Sequence, residues 1–280
     1  MRIPTLAILG VGLLGGSLAL AARSRRLADR ILGVGPHPEA LARARQRGLI
    51  DESFSEAAPA ARRAQAIVVC TPVDCIVDHV LAAANACAPG TLLTDVGSTK
   101  AVIVRQLQGR LPTGQSFIGS HPLAGSEKRG SDYADAHLFA GRLVVVTPAE
   151  DDEPAAVHRV TAFWEALGSR VTLMTPEQHD RALAMTSHLP HLVAAALAGV
   201  LPPEQYPLTA TGFRDTTRVA AGDTTLWTGI LLHNREAILQ ALASFEGALA
   251  QFRDALVSGD RAAIDALLTQ GKRGRNALGS

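Results

Sequence analysis

At 280 residues, the chain has room for one large domain or two of ordinary size. A content of 47% hydrophobic and 19% charged residues excludes a disordered chain and supplies the material for a core. A formal net charge of +1 leaves no whole-chain electrostatic footprint for nucleic acid.

The first apolar run, Thr5 to Leu9, is too short to span a membrane and has no signal-cleavage layout, which predicts a protein without membrane association. Cys70, Cys75 and Cys87 are odd in number and lack CxxC spacing, so they read as free thiols in a reducing cytoplasm. Thr5–Leu9 reads instead as a buried parallel strand, followed by Gly10-Val11-Gly12-Leu13-Leu14-Gly15-Gly16-Ser17 and an Ala/Leu-rich helical stretch. Strand, GxGxxG and helix in that order form the dinucleotide-binding fingerprint. Gly10 suits the tight turn, Gly12 the approach of a pyrophosphate, and Gly15 the close packing of helix on strand. The first helical turn at Leu13 and Leu14 offers N–H groups to the anion.

A second strand, 30–34, ends in Gly35-Pro36-His37. An NAD enzyme usually carries Asp or Glu near this point to hold the ribose hydroxyls, and Gly35 stands there instead. Without the carboxylate a 2′-phosphate is not repelled, and His37 with Arg43 can supply positive charge. The cofactor reading therefore leans to NADP, with a neutral ribose pocket that also takes NAD as the alternative. Strands at 66–70 and 91–95 end in Thr71-Pro72 and in Val96-Gly97-Ser98-Thr99-Lys100. Alternation with helical segments predicts a doubly wound parallel sheet, with ligands outside the carboxyl ends of its strands. Thr71, Pro72, Ser98 and Lys100 then fall on the nicotinamide rim; Ser98 and Thr99 read equally well as caps of the next helix.

The next strand is expected at 116–119, with His121 just beyond its end. An imidazole at that rim can exchange a proton near neutral pH. Ser126, Glu127 and Lys128 follow it. Strands at 143–147 and 170–174 flank a helix at 154–167. Beyond Met174 only apolar helical segments are expected, at 177–200, 226–257 and 260–273. The expected domains are thus 1–174, α/β with a doubly wound sheet, and 175–280, all-helical. A helical domain this small and apolar gains by burying a face against a second copy. His188 and His191 share a helical face near Pro190 but lack a third ligand and a zinc spacing, so no metal is expected. Gly212 to Ala220 reads as a polar loop in which Arg214 and Arg218 could clamp a carboxylate, or else as a solvated turn.

Taken together, GVGLLGGS (10–17), DVGSTK (95–100), SHPLAGSEKRG (120–130), SHLPH (187–191) and GFRDTTRVA (212–220) with Trp227 resemble the prephenate and arogenate dehydrogenase family of tyrosine biosynthesis. The resemblance spans nearly the whole chain, leaving no room for a fused mutase or regulatory domain. It implies a Rossmann-type N-terminal domain and a helical C-terminal domain that forms a homodimer. It implies His121 as the base toward the ring 4-hydroxyl, Ser98 as support for that hydroxyl, and Arg218 as the substrate-carboxylate binder. His191, Ser126 and Trp227 fall on the substrate side, with Glu127 and Asp215 at the site entrance. Prephenate and arogenate differ only in a keto or amino group, which no single residue here separates. A 3-hydroxyacid dehydrogenase or imine reductase on the same architecture is a rival reading. So is a non-catalytic dinucleotide sensor.

Overall fold

The computed structural model describes residues 1–125 and 128–279. Met1–Asn234 forms one compact unit and Arg235–Ser280 a second.

In the first unit, parallel strands β1 (Ile3–Leu9), β2 (Ala28–Val34), β3 (Glu52–Phe54), β4 (Ala66–Val69) and β5 (Leu92–Asp95) lie in the order β3-β2-β1-β4-β5. Helices α1 (Leu13–Ser24), α2 (Pro38–Gln46), α3 (Ala57–Ala61) and α4 (Val73–Ala84) link these strands, and α5 (Ala101–Leu107) follows β5. β4 and β5 are buried at every position, so their apolar side chains serve a core on each face of the sheet. Leu6, Ile8 and Trp164 belong to one core, and Leu9, Ile67 and Ile103 to the other. The doubly wound expectation is met.

A second sheet, β6 (Gly119–Pro122), β7 (Leu143–Thr147) and β8 (Arg170–Leu173), continues it, with α6 (Pro154–Ala166) between β7 and β8. β6 is antiparallel to β7, while a parallel bridge from Thr94 to Ile118 ties it to β5. The expected strand at 116–119 is therefore shifted along the chain, and His121 lies inside β6, opposite Val145. Gly119 and Pro122 obscured this strand because both residue types are depleted from strand interiors.

Helices α7 (Pro176–Leu183) and α8 (Leu189–Gly199) are joined through a π-helical turn, Ala184–His188. Thr175 and Gln178 form a capping box that starts α7. By length and composition alone, the run Pro176–Gly199 could cross a membrane; its buried third includes His179, Asp180, His188 and His191. The expected polar loop at 212–220 is instead helix α9 (Thr211–Thr217) with a 3₁₀ turn, Arg218–Ala221. Thr216 and Thr217 return their hydroxyls to the carbonyls of Gly212 and Phe213, which lets a polar stretch stay helical. The expected single helix at 226–257 divides at Asn234 into α10 (Thr224–His233) and α11 (Arg235–Ser258). In the second unit, α11 is followed by α12 (Arg261–Ala277), whose N-terminus is capped by Asp260.

The glycine turn is sterically determined. Gly10 has φ +96°, and a Cβ on Gly15 would lie 2.0 Å from the Gly10 carbonyl oxygen. Gly15→Ala must push α1 off β1. We expect a loss of about 1–3 kcal/mol of stability together with loss of dinucleotide binding; an unchanged melting temperature would show that α1 has more room than this packing allows.

Candidate active site

Alternation along β6 separates two environments. Ser120 points inward, where its hydroxyl donates to the Asp95 carbonyl at 2.5 Å, lies 2.8 Å from Thr94 Oγ1, and accepts from Trp164 Nε1 at 2.9 Å. His121 therefore projects from the other face. The Thr94–Ile118 register sets His121 level with Gly97, just beyond the carboxyl end of β5.

Beneath this rim lies a fully buried ion pair between Asp95 and Lys100. The Asp95 carboxylate also accepts from Gly97 N at 2.8 Å and Ser120 N at 3.0 Å, while Lys100 Nζ donates to the Ser120 carbonyl at 3.1 Å. Burial lowers the Lys100 pKa, opposed chiefly by Asp95. Breaking such a pair from one side costs about 3–5 kcal/mol, because the remaining charge is buried alone.

The start of α5 is capped from a distance. Ser98 and Thr99 do not cap it; Asp180 of α7 accepts from Lys100 N at 2.8 Å and from Ala101 N at 2.9 Å. Asp180 Oδ1 also lies 2.7 Å from His179 Nδ1, and His179 Nε2 lies 2.9 Å from His121 Nδ1. The two imidazoles meet edge to face, with ring centroids 5.1 Å apart. Asn234, in the break between α10 and α11, donates to the Asp180 carbonyl at 2.7 Å and contacts His188 Nδ1 at 3.0 Å. His188 meets the edge of Trp227, which stacks on His191 with centroids 3.5 Å apart and planes 11° apart. His191 Nδ1 is buried without a hydrogen-bond partner among the described residues.

Burial depresses the basicity of three of these histidines, His121, His188 and His191. Burial lowers the His121 pKa well below its ordinary value, helped by His179, Lys100 and His188. Burial brings His188 down to about 4, and it lowers His191 as well.

On the cofactor side, a Cβ on Gly10 would sit 2.7 Å from the Cys70 carbonyl oxygen, whereas Gly12 faces open space. Leu13 and Leu14 open α1, whose first turn has neither an acidic residue nor a side-chain cap. That leaves its N–H groups to an anion, as a pyrophosphate requires. A Cβ on Gly35 would meet nothing nearer than Leu41 Cδ2 at 3.7 Å, so the missing carboxylate is not dictated by space. His37 and Arg43 are exposed at the start and on the surface of α2. Thr71 Oγ1 lies 3.0 Å from His79 Nδ1, exposed Pro72 precedes α4, and half-buried Ser98 lies in the bend between β5 and α5.

The expected substrate residues are not all gathered. Trp227 and His191 pack together beside His188. Arg218 and Asp215 are exposed on and just after α9, without a hydrogen-bond or ion-pair partner among the described residues. Ser126 and Glu127 lie outside the described residues. Just after them, Arg129 pairs with Asp223, the N-cap of α10. His179, Asp180 and Asn234 were not anticipated. The only local signal was a His-Asp pair one turn into a helix, and nothing in the spacing linked it to His121.

Residues 18–173 match the family model for the prephenate dehydrogenase nucleotide-binding domain, and residues 175–270 match that for the prephenate dehydrogenase dimerization domain. The chain belongs to the prephenate dehydrogenase family. It is 36% identical to a cyclohexadienyl dehydrogenase of Zymomonas mobilis, over 91% of this chain and 89% of that one. It superposes with a TM-score of 0.92 on an A. aeolicus prephenate dehydrogenase solved with hydroxyphenyl propionate and NAD+, at 30% identity and 99% coverage of both chains. For a Synechocystis arogenate dehydrogenase the TM-score is 0.81 at 30% identity, covering 98% of this chain and 99% of that one.

The depressed histidines make stability depend on pH. Between the ordinary value near 6.5 and about 4, the unfolded chain binds a proton that folded His188 refuses, so stability falls as pH drops through that window. We expect the His188 ring resonances in an NMR titration to shift with a midpoint near 4 and the urea midpoint to fall over the same range. A midpoint at the ordinary histidine value would mean that the ring is solvated.

Proposed function

We propose that this chain oxidatively decarboxylates prephenate, arogenate or both, in tyrosine biosynthesis, with hydride transfer to a nicotinamide dinucleotide. The observation that carries this reading is His121: partly buried at the sheet rim, with Nδ1 against His179 and its pKa lowered by burial. Its Nε2 is then the nitrogen left for a substrate hydroxyl. A bound nicotinamide supplies the hydride acceptor. His121 Nε2 takes the 4-hydroxyl proton as C4 is oxidised, and half-exposed Ser98 supports the same oxygen. The ring carboxylate departs as carbon dioxide, and aromatisation makes the step effectively irreversible.

A dianionic substrate requires fixed donors. His191 Nδ1, buried and without a partner among the described residues, is free to bond a substrate oxygen when it carries the ring proton, and Trp227 holds its ring by stacking. Arg218, exposed and without an ion-pair partner among the described residues, is assigned the substrate carboxylate, with Asp215 and Glu127 at the entrance and Ser126 on the substrate side. The dinucleotide rests on Gly10, Gly12, Leu13, Leu14, Gly15, Thr71 and Pro72. NADP is favoured over NAD because Gly35 lacks a carboxylate while His37 and Arg43 are exposed nearby. The working division is a dinucleotide domain to about Met174 and a helical domain after it. Exposed Leu239, Leu249, Leu256 and Val257 on α11 support homodimerisation through the helical part. Free Cys70, Cys75 and Cys87 suit a reducing cytoplasm.

The hydroxyacid-dehydrogenase alternative needs a lysine in the helical half near the site. The run Pro176–Gly199 contains none, and Lys100 is committed to Asp95.

The test is a two-by-two assay, either substrate with either cofactor, on the wild type and on His121→Asn and Arg218→Ala. We expect activity with at least one pairing, retained at pH values below the ordinary histidine pKa because that of His121 is depressed. His121→Asn should lose about 10²–10⁴-fold in kcat while still binding cofactor, and Arg218→Ala should chiefly raise substrate KM. Near-normal turnover in His121→Asn would remove it from the chemistry, and inactivity in all four wild-type assays would remove the function.

A further inference from the structure

We propose that His179 is a positioning residue that, held by Asp180, fixes the tautomer of His121 and stabilises the imidazolium His121 becomes. The proposal rests on the assignment of His121 as the base and adds the reason one of its nitrogens is free to act.

The hydrogen-bond directions follow from what each group can do. Asp180 accepts from two backbone N–H groups, Lys100 N at 2.8 Å and Ala101 N at 2.9 Å, a demand that an ionised carboxylate meets. Its Oδ1 lies 2.7 Å from His179 Nδ1, so His179 must donate there and carry its proton on Nδ1. A neutral His179 then presents a lone pair at Nε2. That lone pair faces His121 Nδ1 at 2.9 Å, so His121 must donate in turn and carry its own proton on Nδ1. His121 Nε2 is left unprotonated. The chain of donors runs from His121 through His179 to Asp180, and one carboxylate anchored on a helix start orients two rings.

The same chain answers a charge problem. The groups facing His121 include Lys100, His179 and His188, none of them an anion, so a positive charge on His121 is poorly received. Lys100 is committed to Asp95, and Asp180 reaches His121 only through His179 among the described hydrogen bonds. When His121 Nε2 accepts the substrate hydroxyl proton, the Nδ1–H stays donated to His179, and His179 stays donated to Asp180. The new proton remains on Nε2, the hydride leaves with the nicotinamide, and no further reactant is needed. This is the role the third member of a Ser-His-Asp triad has toward its histidine, with an imidazole inserted between.

Asp180 also caps α5, so its removal would mix two effects; His179 is the cleaner position. We expect His179→Leu to lower kcat by about 10²-fold while KM for substrate and cofactor stays within about twofold. His179→Gln, whose side-chain oxygen can accept from His121 Nδ1–H, should recover part of that loss. A merely structural role would move stability and KM together and would not distinguish Gln from Leu. Independently of any variant, long-range ¹H–¹⁵N spectra of the wild-type protein labelled at histidine should show His121 protonated at Nδ1 and bare at Nε2. An Nε2-protonated His121, or wild-type kcat in His179→Leu, overturns the proposal. Because the tautomer is read without substrate, it stands or falls separately from the proposed activity.

Discussion

The Asp180 carboxylate is the point on which the site depends. It holds two backbone N–H groups at the start of α5 and the imidazole of His179, and it is almost fully buried. An ionised group so enclosed is tolerable only with its lone pairs occupied, and here three donors occupy them. The helix that carries the second histidine is thereby pinned to the sheet that carries the first. Asn234 extends the fixation, because its amide grips the Asp180 carbonyl and turns toward His188. Asn234 leaves helical geometry at the end of α10 (φ −109°, ψ 26°), so the residue that ends this helix also supplies the amide that holds Asp180.

A second polar centre lies below the first. Asp95 and Lys100 neutralise one another in the core, and their remaining hydrogen-bonding capacity goes to Gly97, Ser120 and the strand backbone. A buried ion pair adds little net stability compared with apolar residues of the same volume, but it penalises any arrangement that separates the partners. Here it fixes the β5–α5 bend against β6, and therefore Ser98 relative to His121. Rigid support of this kind fixes the separation of the two side chains.

Much of the scaffold was legible from sequence, because the signals are local. Apolar runs ending in glycine turns marked the parallel strands, and GxGxxG between strand and helix marked the dinucleotide end. The sequence is silent where the deciding contact is remote. Gly119 and Pro122 argue against a strand at β6, and only pairing with β7 makes one. Ser98 and Thr99 looked like caps because capping is normally local, whereas the real cap arrives from Asp180. Gly212 to Ala220 looked like a loop on composition, yet its threonines satisfy their hydroxyls within a helix. His121 could be singled out by its neighbours, but His179 could not, since only the fold brings them together. Arg218 was legible with Arg214 as a possible carboxylate clamp, the family resemblance singled it out, and it has no partner among the described residues.

In the proposed reaction, one nitrogen of His121 serves the substrate and the other is held by His179. The most direct measurement is a crystal structure of the chain with oxidised dinucleotide and a 4-hydroxyphenyl carboxylic acid in place of substrate. The account predicts the ring hydroxyl at about 3 Å from His121 Nε2, with His121 Nδ1 still on His179. A ring hydroxyl bound to another group, or a His121 side chain turned away from His179 to meet it, would contradict the account.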